Sequence, residues 1–440
     1  MTKILVHARG AVGSAMGSTG IRCYHMARVL AEQLPEAQVT LAVPNEPDIP
    51  SPHPRLRIVR YSRSSSMYRN PWPSFLQMLR HDIIISRNFP PHVIALFPHK
   101  RLALDFYTAF FIEWLAFASR IPNPERRKLW MTSNRHYIDF QLTLADYLFC
   151  SNERQRDLWV GALSALGLVT PRTYDRDSTL RRLIDVVPYG VQPGRPQHTR
   201  QVLKGIVPGI RESDKVLIWN GSIMEWFDAQ TVIRAMAEVS RVRDDVKLFF
   251  LGTEHPDWVT GLLFDPPQDA IDLSKQLGVY ERSVFFNVGW VPYHEIGNFL
   301  TEADIGICAG FDNIESHYSF RTRLVDLFWA ELPIICTRGD VLAERVEHDP
   351  LGIVVAPGDV EALAAAILRL VDDGDFYGSC RGNMPAIKEE MSWERVLAPL
   401  VEFCRSGRSI AAPKRQRLLP LLRRAAGYLL NHARQQVTGK

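Results

Sequence analysis

The sequence predicts an α/β chain of two doubly wound domains in series, and three observations carry that prediction. At 440 residues the chain is too long for one ordinary core. Short apolar runs bounded by Gly, Pro, Asn or Ser alternate with amphipathic stretches along almost its whole length. One stretch without periodicity, residues 188–210 ("PYGVQPGRPQHTRQVLKGIVPGI"), holds four prolines and four glycines and splits the series in two.

In the first half the strand candidates are "KILVHA", "VTLAV", "LRIVRY", "DIIIS", "RLALD", "YLFC" and "IDVV". The better ones are continuously apolar, as in parallel sheets covered on both faces. Helical patterns such as "IRCYHMARVLAEQL" and "ERQRDLWVGALSALG" lie between them. The second half repeats the theme with "KVLIW", "VKLFFLG", "VFFNVG", "ADIGICAG", "LPIICT" and "GIVVA", interleaved with stretches such as "AQTVIRAMAEVSRV", "FRTRLVDLFWAE" and "VEALAAAILRLVDD". The expected organisation is a Rossmann-like acceptor-side domain at 1–195, a linker at 196–213 and a second Rossmann-like domain, on the donor side, at 214–390. A helix at 391–407 is expected to pack back toward the first domain, followed by a basic amphipathic tail at 408–440. Two such sheets would face each other across a cleft, with ligands beyond the carboxyl ends of their strands.

Composition narrows the chemistry. Six scattered cysteines form no CxxC pair and no Cys/His cluster at metal spacing, which suits reduced thiols in a cytosol and predicts no metal site. A strand beginning by Lys3 leaves no room for a signal peptide. The longest apolar stretch, 102–118, contains Asp105 and Glu113 and is a poor membrane span. The net charge of +4 is unevenly distributed: from Arg408 onward there are eight Lys or Arg and no acid, leaving −4 (+4 minus +8) for the body. That balance argues against a nucleic-acid partner.

The stretch "HARGAVGSAMGSTGIRCYHMARVL" spaces glycines at 10, 13, 17 and 20 between the first strand and the first helix. A dinucleotide clamp needs a tight GxGxxG turn, so that the pyrophosphate meets the helix N-terminus. Here the loop runs to about a dozen residues, against ~2–6 for an ordinary strand-to-helix turn, and the spacing is GxxGxxxGxxG. Gly17, Ser18, Thr19 and Gly20, with Arg22 on the first helical turn, better suit an anionic or sugar ligand; the alternative is a plain surface loop.

The segment "DNIESHYSFRTRLVDLFWAELPIICT" is richest in chemistry. Ser319 is expected to cap a helix beginning at Phe320, whose free N–H groups and positive dipole end would join Arg321 and Arg323 in a diphosphate pocket. Asp326 lies one turn on, and Glu315 is expected in the loop before. Carboxylates beside a phosphate pocket fit a ligand that also carries hydroxyls. The alternative is an i,i+3 surface pair of Arg323 with Asp326.

These residues resemble glycosyltransferase family 4, retaining enzymes of the GT-B fold that use nucleotide-sugar donors. The family's Glu-x7-Glu motif precedes "A-x-x-x-G-x-P-V-I"; matching that tail to "LFWAELPII" puts the second acid at Asp326, an Asp where the family has Glu, and the first is best matched by Glu315, eleven residues earlier instead of eight. A subgroup with "SFRTR…D…WA.LP" fits more closely, as do "LDFYTAFFIEWL", "ADYLFCSNERQRDLWVGAL", "WNGSIMEWFDAQTVIRAM" and "NVGWVPY". The resemblance implies that Asp326 binds the donor ribose and that Glu315 meets the transferred sugar. It also implies that Trp290 and Val291 flank the base, that the 17–20 loop lies near phosphates and acceptor, and that no metal or cofactor is needed. It departs from the family where an Arg and a Lys usually follow the first strand of the second domain: "WNGSIMEWFDAQ" has neither, so Arg321 and Arg323 would serve, aided by Gly221 and Ser222. Asp105 stands where many members place a His, as an acceptor-side catalytic residue or a helix cap. Glu225 would aim at the sugar, while Glu113 and His136 are acceptor-side candidates or structural residues.

The function implied is transfer of a sugar from a nucleoside diphosphate to a hydroxyl of a glycan, glycolipid or natural-product acceptor in surface polysaccharide or glycoconjugate synthesis. The alternatives are a sugar-nucleotide epimerase on the same scaffold and a binding-only relative. The expected location is cytoplasmic. The tail either lies on the inner face of a membrane, where a lipid-linked acceptor would be found, or is solvated, with Pro420 interrupting any helix.

Overall fold

A computed structural model of the protein describes residues 1–61, 72–119, 121–253, 266–407 and 409–438. Arg408 and the last two residues of the basic tail lie outside that set. Each of the apolar runs contains a strand. The first seven are β1 (Thr2–His7), β2 (Ala37–Val43), β3 (Leu56–Arg60), β4 (Ile83–Ser86), β5 (Arg101–Asp105), β6 (Tyr147–Cys150) and β7 (Ile184–Val186). They form one parallel sheet in the order β3-β2-β1-β4-β5-β6-β7. The other six are β8 (Lys215–Trp219), β9 (Val246–Phe250), β10 (Val284–Phe286), β11 (Ile305–Cys308), β12 (Ile334–Thr337) and β13 (Gly352–Val355). Their sheet is also parallel, ordered β10-β9-β8-β11-β12-β13.

Parallel strands need long crossovers, and the amphipathic stretches supply them as helices on the sheet faces. In the first sheet consecutive residues of the central strands, Ile4 and Leu5 of β1 and Ile83 and Ile84 of β4, are fully buried, so both sides of these strands are covered, while the edge strand β3 is largely open. The second sheet has its own core, in which Val232, Ile233 and Met236 of the Ala229–Val239 helix pack with Leu217, Trp219, Leu248 and Ile307.

Contacts divide the chain into two units. Met1–Gly13, Ser18–Pro188 and Val396–Lys440 form unit 1; Ser14–Gly17 and Tyr189–Arg395 form unit 2. By contact the first break therefore falls at Pro188, ahead of the expected 195, and the chain re-enters unit 1 at Val396. Tyr147 of β6 stacks on Phe403 of the Ala398–Ser406 helix with centroids 4.6 Å apart.

The tail corrects the expectation of a helix broken at Pro420. A single helix, Lys414–Thr438, runs through that proline. Leu421 and Ala425 join the unit 1 core, and Arg417 is buried beside Asp146, its Nη2 2.6 Å from Oδ1. Other N–H groups of Arg417 donate to the carbonyls of Thr143 and Ala145, at the end of the Pro124–Leu144 helix. Those are carbonyls a helix C-terminus leaves without partners, and a cation there also meets the negative end of the dipole. Packing outweighs the one hydrogen bond that Pro420 removes.

Candidate functional site

In unit 2 the strand order reverses direction between β8 and β11, and at such a switch point the connections part and leave a crevice at the carboxyl ends. After β8 the chain turns at Gly221, whose φ of +95° is a left-handed value that favours glycine. It then folds over the end of β11: the Asp228 N–H donates to the Ala309 carbonyl at 2.9 Å, and Phe227 bridges Gly310. Asp228 caps the Ala229–Val239 helix through the Thr231 N–H.

The Thr322–Trp329 helix enters this crevice from the other side. Arg323 is buried, its guanidinium carbon 3.5 Å from the centroid of Phe227 and 4.9 Å from that of Trp219. Its Nη2 donates to the Ser222 carbonyl at 2.8 Å, while its Nη1 has no hydrogen-bond partner among the described residues. No carboxylate pairs with it there, and burial lowers its pKa to about 10. A buried cation with the N–H groups of Nη1 unused is suited to receive an anion. Gly221 leaves room beside it: a Cβ at that position would still be 3.9 Å from Nη2.

Asp326, one turn further, accepts from Asn220 Nδ2 at 2.8 Å. Burial raises its pKa to about 6, against the opposing hydrogen bonds from Asn220 and Gln192. Glu225, in the turn after β8, has a buried Oε2 without a partner among the described residues. Arg323, Asp326 and the 220–225 turn thus bring together two acids and one cation, groups suited to a phosphorylated polyol.

Three expectations for this segment are corrected. Ser319 does not cap the Arg-bearing helix: it ends the short Ile314–Tyr318 helix, its hydroxyl donating to the Ser316 carbonyl at 2.9 Å. Arg321 occupies the N-cap of the next helix and makes no side-chain cap bond. Glu315 is not in a loop but in the first turn of Ile314–Tyr318, where Asn313 is the cap. It is buried and clasps Arg321 through two bonds of 3.0 and 2.6 Å. Burying either charge alone would cost several kcal/mol, so the two neutralise each other. Burial alone would lower the Arg321 pKa, but the Glu315 and Asp340 charges hold it above the ordinary value. The cluster of two free arginines therefore reduces to Arg323 alone, with Arg321 and Glu315 as its scaffold.

After β10, Val291 is buried and Trp290 half-buried, beyond Gly289 at φ +111°. A Cβ at Gly252, past the end of β9, would lie 3.6 Å from the Trp290 ring. The part of the glycine-rich segment in unit 1 that ends at Gly13 is held to the chain after β2: the Val12 N–H donates to Asn45 Oδ1 and Asn45 Nδ2 donates to the Val12 carbonyl. The first helix starts at Ser18, ahead of the expected Gly20, so Gly17 precedes it while Ser18, Thr19 and Gly20 form its first turn.

Arg22 and Asp105, expected to meet ligand, instead meet each other. Both are buried, with bonds of 2.8 and 3.0 Å, and Arg22 spends its remaining donors on the Val187 and Pro188 carbonyls. Desolvation again explains the pairing. His136 lies against the C-terminal helix, its Nδ1 3.3 Å from where a Cβ of Gly427 would be, and so belongs to that packing. Glu113 is in the first turn of the Phe110–Ser119 helix. Sequence reasoning missed Asn220 and Phe227, which respectively hold Asp326 and underlie Arg323. The signal was present: Asn at a strand's carboxyl end, and an aromatic immediately before a capping Asp.

Comparison with known proteins gives the same picture. Residues 214–373 match the family model "Glycosyl transferases group 1". An uncharacterized glycosyltransferase of Methanocaldococcus jannaschii is 24% identical over 190 residues, 43% of this chain and 44% of that protein. The amylovoran biosynthesis glycosyltransferase AmsK of Erwinia amylovora is 31% identical over 84 residues, 19% of this chain and 21% of AmsK. The chain thus spans less than half the length of these curated relatives. Among solved structures, WaaG, a glycosyltransferase involved in lipopolysaccharide biosynthesis, aligns with a TM-score of 0.59 at 14% identity, over 92% of this chain and 99% of WaaG. Anabaena HepE in complex with UDP and glucose aligns with a TM-score of 0.60 at 13% identity, over 92% and 99%. The chain therefore has the GT-B fold of these glycosyltransferases, and the second of its two Rossmann-like units matches the glycosyl transferases group 1 family.

Proposed function

We propose that this protein is a retaining glycosyltransferase that moves a sugar from a nucleoside-diphosphate donor to a hydroxyl of a glycan or lipid-linked acceptor, in polysaccharide or lipopolysaccharide-type synthesis. The observation that carries this reading is Arg323, a buried guanidinium at the β8/β11 switch point whose Nη1 has no hydrogen-bond partner among the described residues, one helical turn from Asp326. Arg323 would hold the donor diphosphate and stabilise the negative charge that grows on it as the glycosidic bond breaks. Asp326 would accept the ribose hydroxyls, and Glu225 Oε2 a hydroxyl of the sugar. Trp290 and Val291 would flank the base. Arg321 and Glu315 are positioning residues, holding the helix that carries Arg323. In the retaining reaction the acceptor oxygen bonds to the anomeric carbon, the carbon–oxygen bond to the diphosphate breaks, and the acceptor proton passes to the departing phosphate oxygen. Binding of UDP or UDP-glucose, described for HepE, makes UDP the first nucleotide to try. This reading assigns no role to a metal or cofactor.

The test is a thermal-shift series with UDP, GDP, dTDP and ADP on wild type and Arg323→Ala. At 100 times its dissociation constant a ligand stabilises by about 2.7 kcal/mol. One diphosphate should stabilise the wild type and leave the variant unmoved; silence from all four would sink the reading. With the matching nucleotide sugar, the anomeric configuration of the product reports retention, and donor conversion without acceptor would favour an epimerase.

The same reading includes contact of the Lys414–Thr438 helix with an anionic membrane at the cytoplasmic face, which suits a lipid-linked acceptor. No helix among the described residues is long and apolar enough to cross a membrane.

A further inference from the structure

Unit 1 has a switch point of its own, between β1 and β4, and the residues just beyond β4 take no part in the site of unit 2. Arg87 is the first of them. Its guanidinium carbon lies 4.9 Å from the centroid of Tyr107 and 4.5 Å from that of Phe110. It is half-buried, and among the described residues no hydrogen bond or ion pair engages it. Its nearest strand neighbour cannot serve as counter-ion: Ser86 pairs with Leu104, which puts Asp105 next along β5, and Asp105 is already committed to Arg22 by two bonds. Two further polar atoms in the same pair of strand exits have no partner among the described residues, Asn88 Oδ1 and Thr108 Oγ1, both buried. Orphaned buried polar atoms are rare, and here two belong to the chain neighbours of Arg87 and of Tyr107, whose ring stands by a guanidinium without an ion-pair partner among the described residues.

We propose that Arg87 is an oxyanion subsite of unit 1, and that the acceptor carries a phosphate or carboxylate group that docks there. The Tyr107 and Phe110 rings fix the plane of the guanidinium and leave its fork free for bidentate recognition. Thr108 donates its hydroxyl to the same anion, and Asn88 accepts from a hydroxyl of the acceptor. This deepens the glycosyltransferase reading and rests on it for the word acceptor, whereas the anion site stands on unit 1 alone.

The probes are phenyl phosphate and benzoate, which share a ring and differ in the anion, titrated by calorimetry into the full-length protein saturated with UDP. The UDP titration that comes first reports the donor site, so each reading can fail separately. Wild type should bind one probe, the stronger of the two naming the anion. Arg87→Gln should weaken it at least tenfold, and Arg87→Lys should retain part of the affinity. Absence of binding by wild type, or binding that survives Arg87→Gln, would overturn the proposal. So would binding seen only when UDP is left out, which would place the probe in the donor site of unit 2. Melting temperatures identify any unfolded variant, and Thr108→Val, which removes one donor and keeps the cation, should weaken binding two- to tenfold; an unchanged affinity there also counts against the site as drawn.

Discussion

Two arginines two residues apart, Arg321 and Arg323, stand in opposite electrostatic states, and the difference is testable without any ligand. Arg321 is ion-paired with Glu315, whereas Arg323 has no ion-pair partner among the described residues and only the weaker attraction of Asp326 one turn on. Arg321→Met leaves a buried carboxylate alone and should cost about 3–5 kcal/mol in urea unfolding. Arg323→Met removes an uncompensated charge, loses one bond to the Ser222 carbonyl, and should change stability by no more than about 1 kcal/mol while abolishing diphosphate binding. Asp326 adds a pH signature. Its folded pKa of about 6 lies above the ordinary 3.8, so the folded chain binds the extra proton. The free protein should therefore lose stability from this group as pH rises from about 4 to about 6, and no further above that. Donor affinity runs the other way, because the ionised carboxylate is the better acceptor for ribose hydroxyls. UDP-glucose, whose diphosphate has no proton to lose in this range, should bind about tenfold more weakly at pH 5 than at pH 7.5. Asp326→Asn should flatten both profiles, and a wild-type affinity independent of pH would remove Asp326 from the ribose.

At the scale of elements, the strands were legible because each is a continuous apolar run punctuated by turn residues, which in a doubly wound sheet has few other meanings. Helix boundaries in the 312–330 segment were not. Ser319 satisfies the local rule for an N-cap, but Glu315 pairs with Arg321 across the junction of two short helices, and that contact fixes where the second one starts. Partner choice among charged side chains has no period, so Arg22 with Asp105 and Arg417 with Asp146 were equally hidden. The Arg417 pairing makes the docking of the C-terminal helix a measurable quantity. Arg417→Ala removes bonds to Asp146 and to the carbonyls of Thr143 and Ala145. Lys414 and the Leu102 N–H still reach Asp146, so its charge keeps some compensation. The expected loss is about 2–4 kcal/mol, and a change under about 0.5 kcal/mol would show that the helix is held by its leucine packing alone.

For the molecule as a whole, the C-terminal helix carries an exposed apolar face besides the one it buries. Arg417, Leu421, Ala425 and Tyr428 are buried in unit 1, but Leu418, Leu419, Leu422, Leu429 and Leu430 are exposed, the last by 63%. On a helix those leucines fall on one broad stripe, with Arg415 inside it and Arg423 and Arg434 along its edge. The 414–438 stretch contains no acid at all. Exposed apolar residues scattered singly need no explanation, whereas a stripe of five with only basic neighbours matches an anionic lipid surface in both apolar area and charge. Each basic residue near such a surface contributes about 1 kcal/mol, and the leucines hold what the charges attract. Flotation with vesicles containing phosphatidylglycerol should carry the protein upward at low salt, and neutral vesicles should not. Leu419→Glu with Leu430→Glu should abolish flotation at unchanged melting temperature, because neither leucine packs into unit 1. Flotation that persists in the double variant would move the contact elsewhere on the surface. Failure of wild type to float would leave the stripe without a lipid partner.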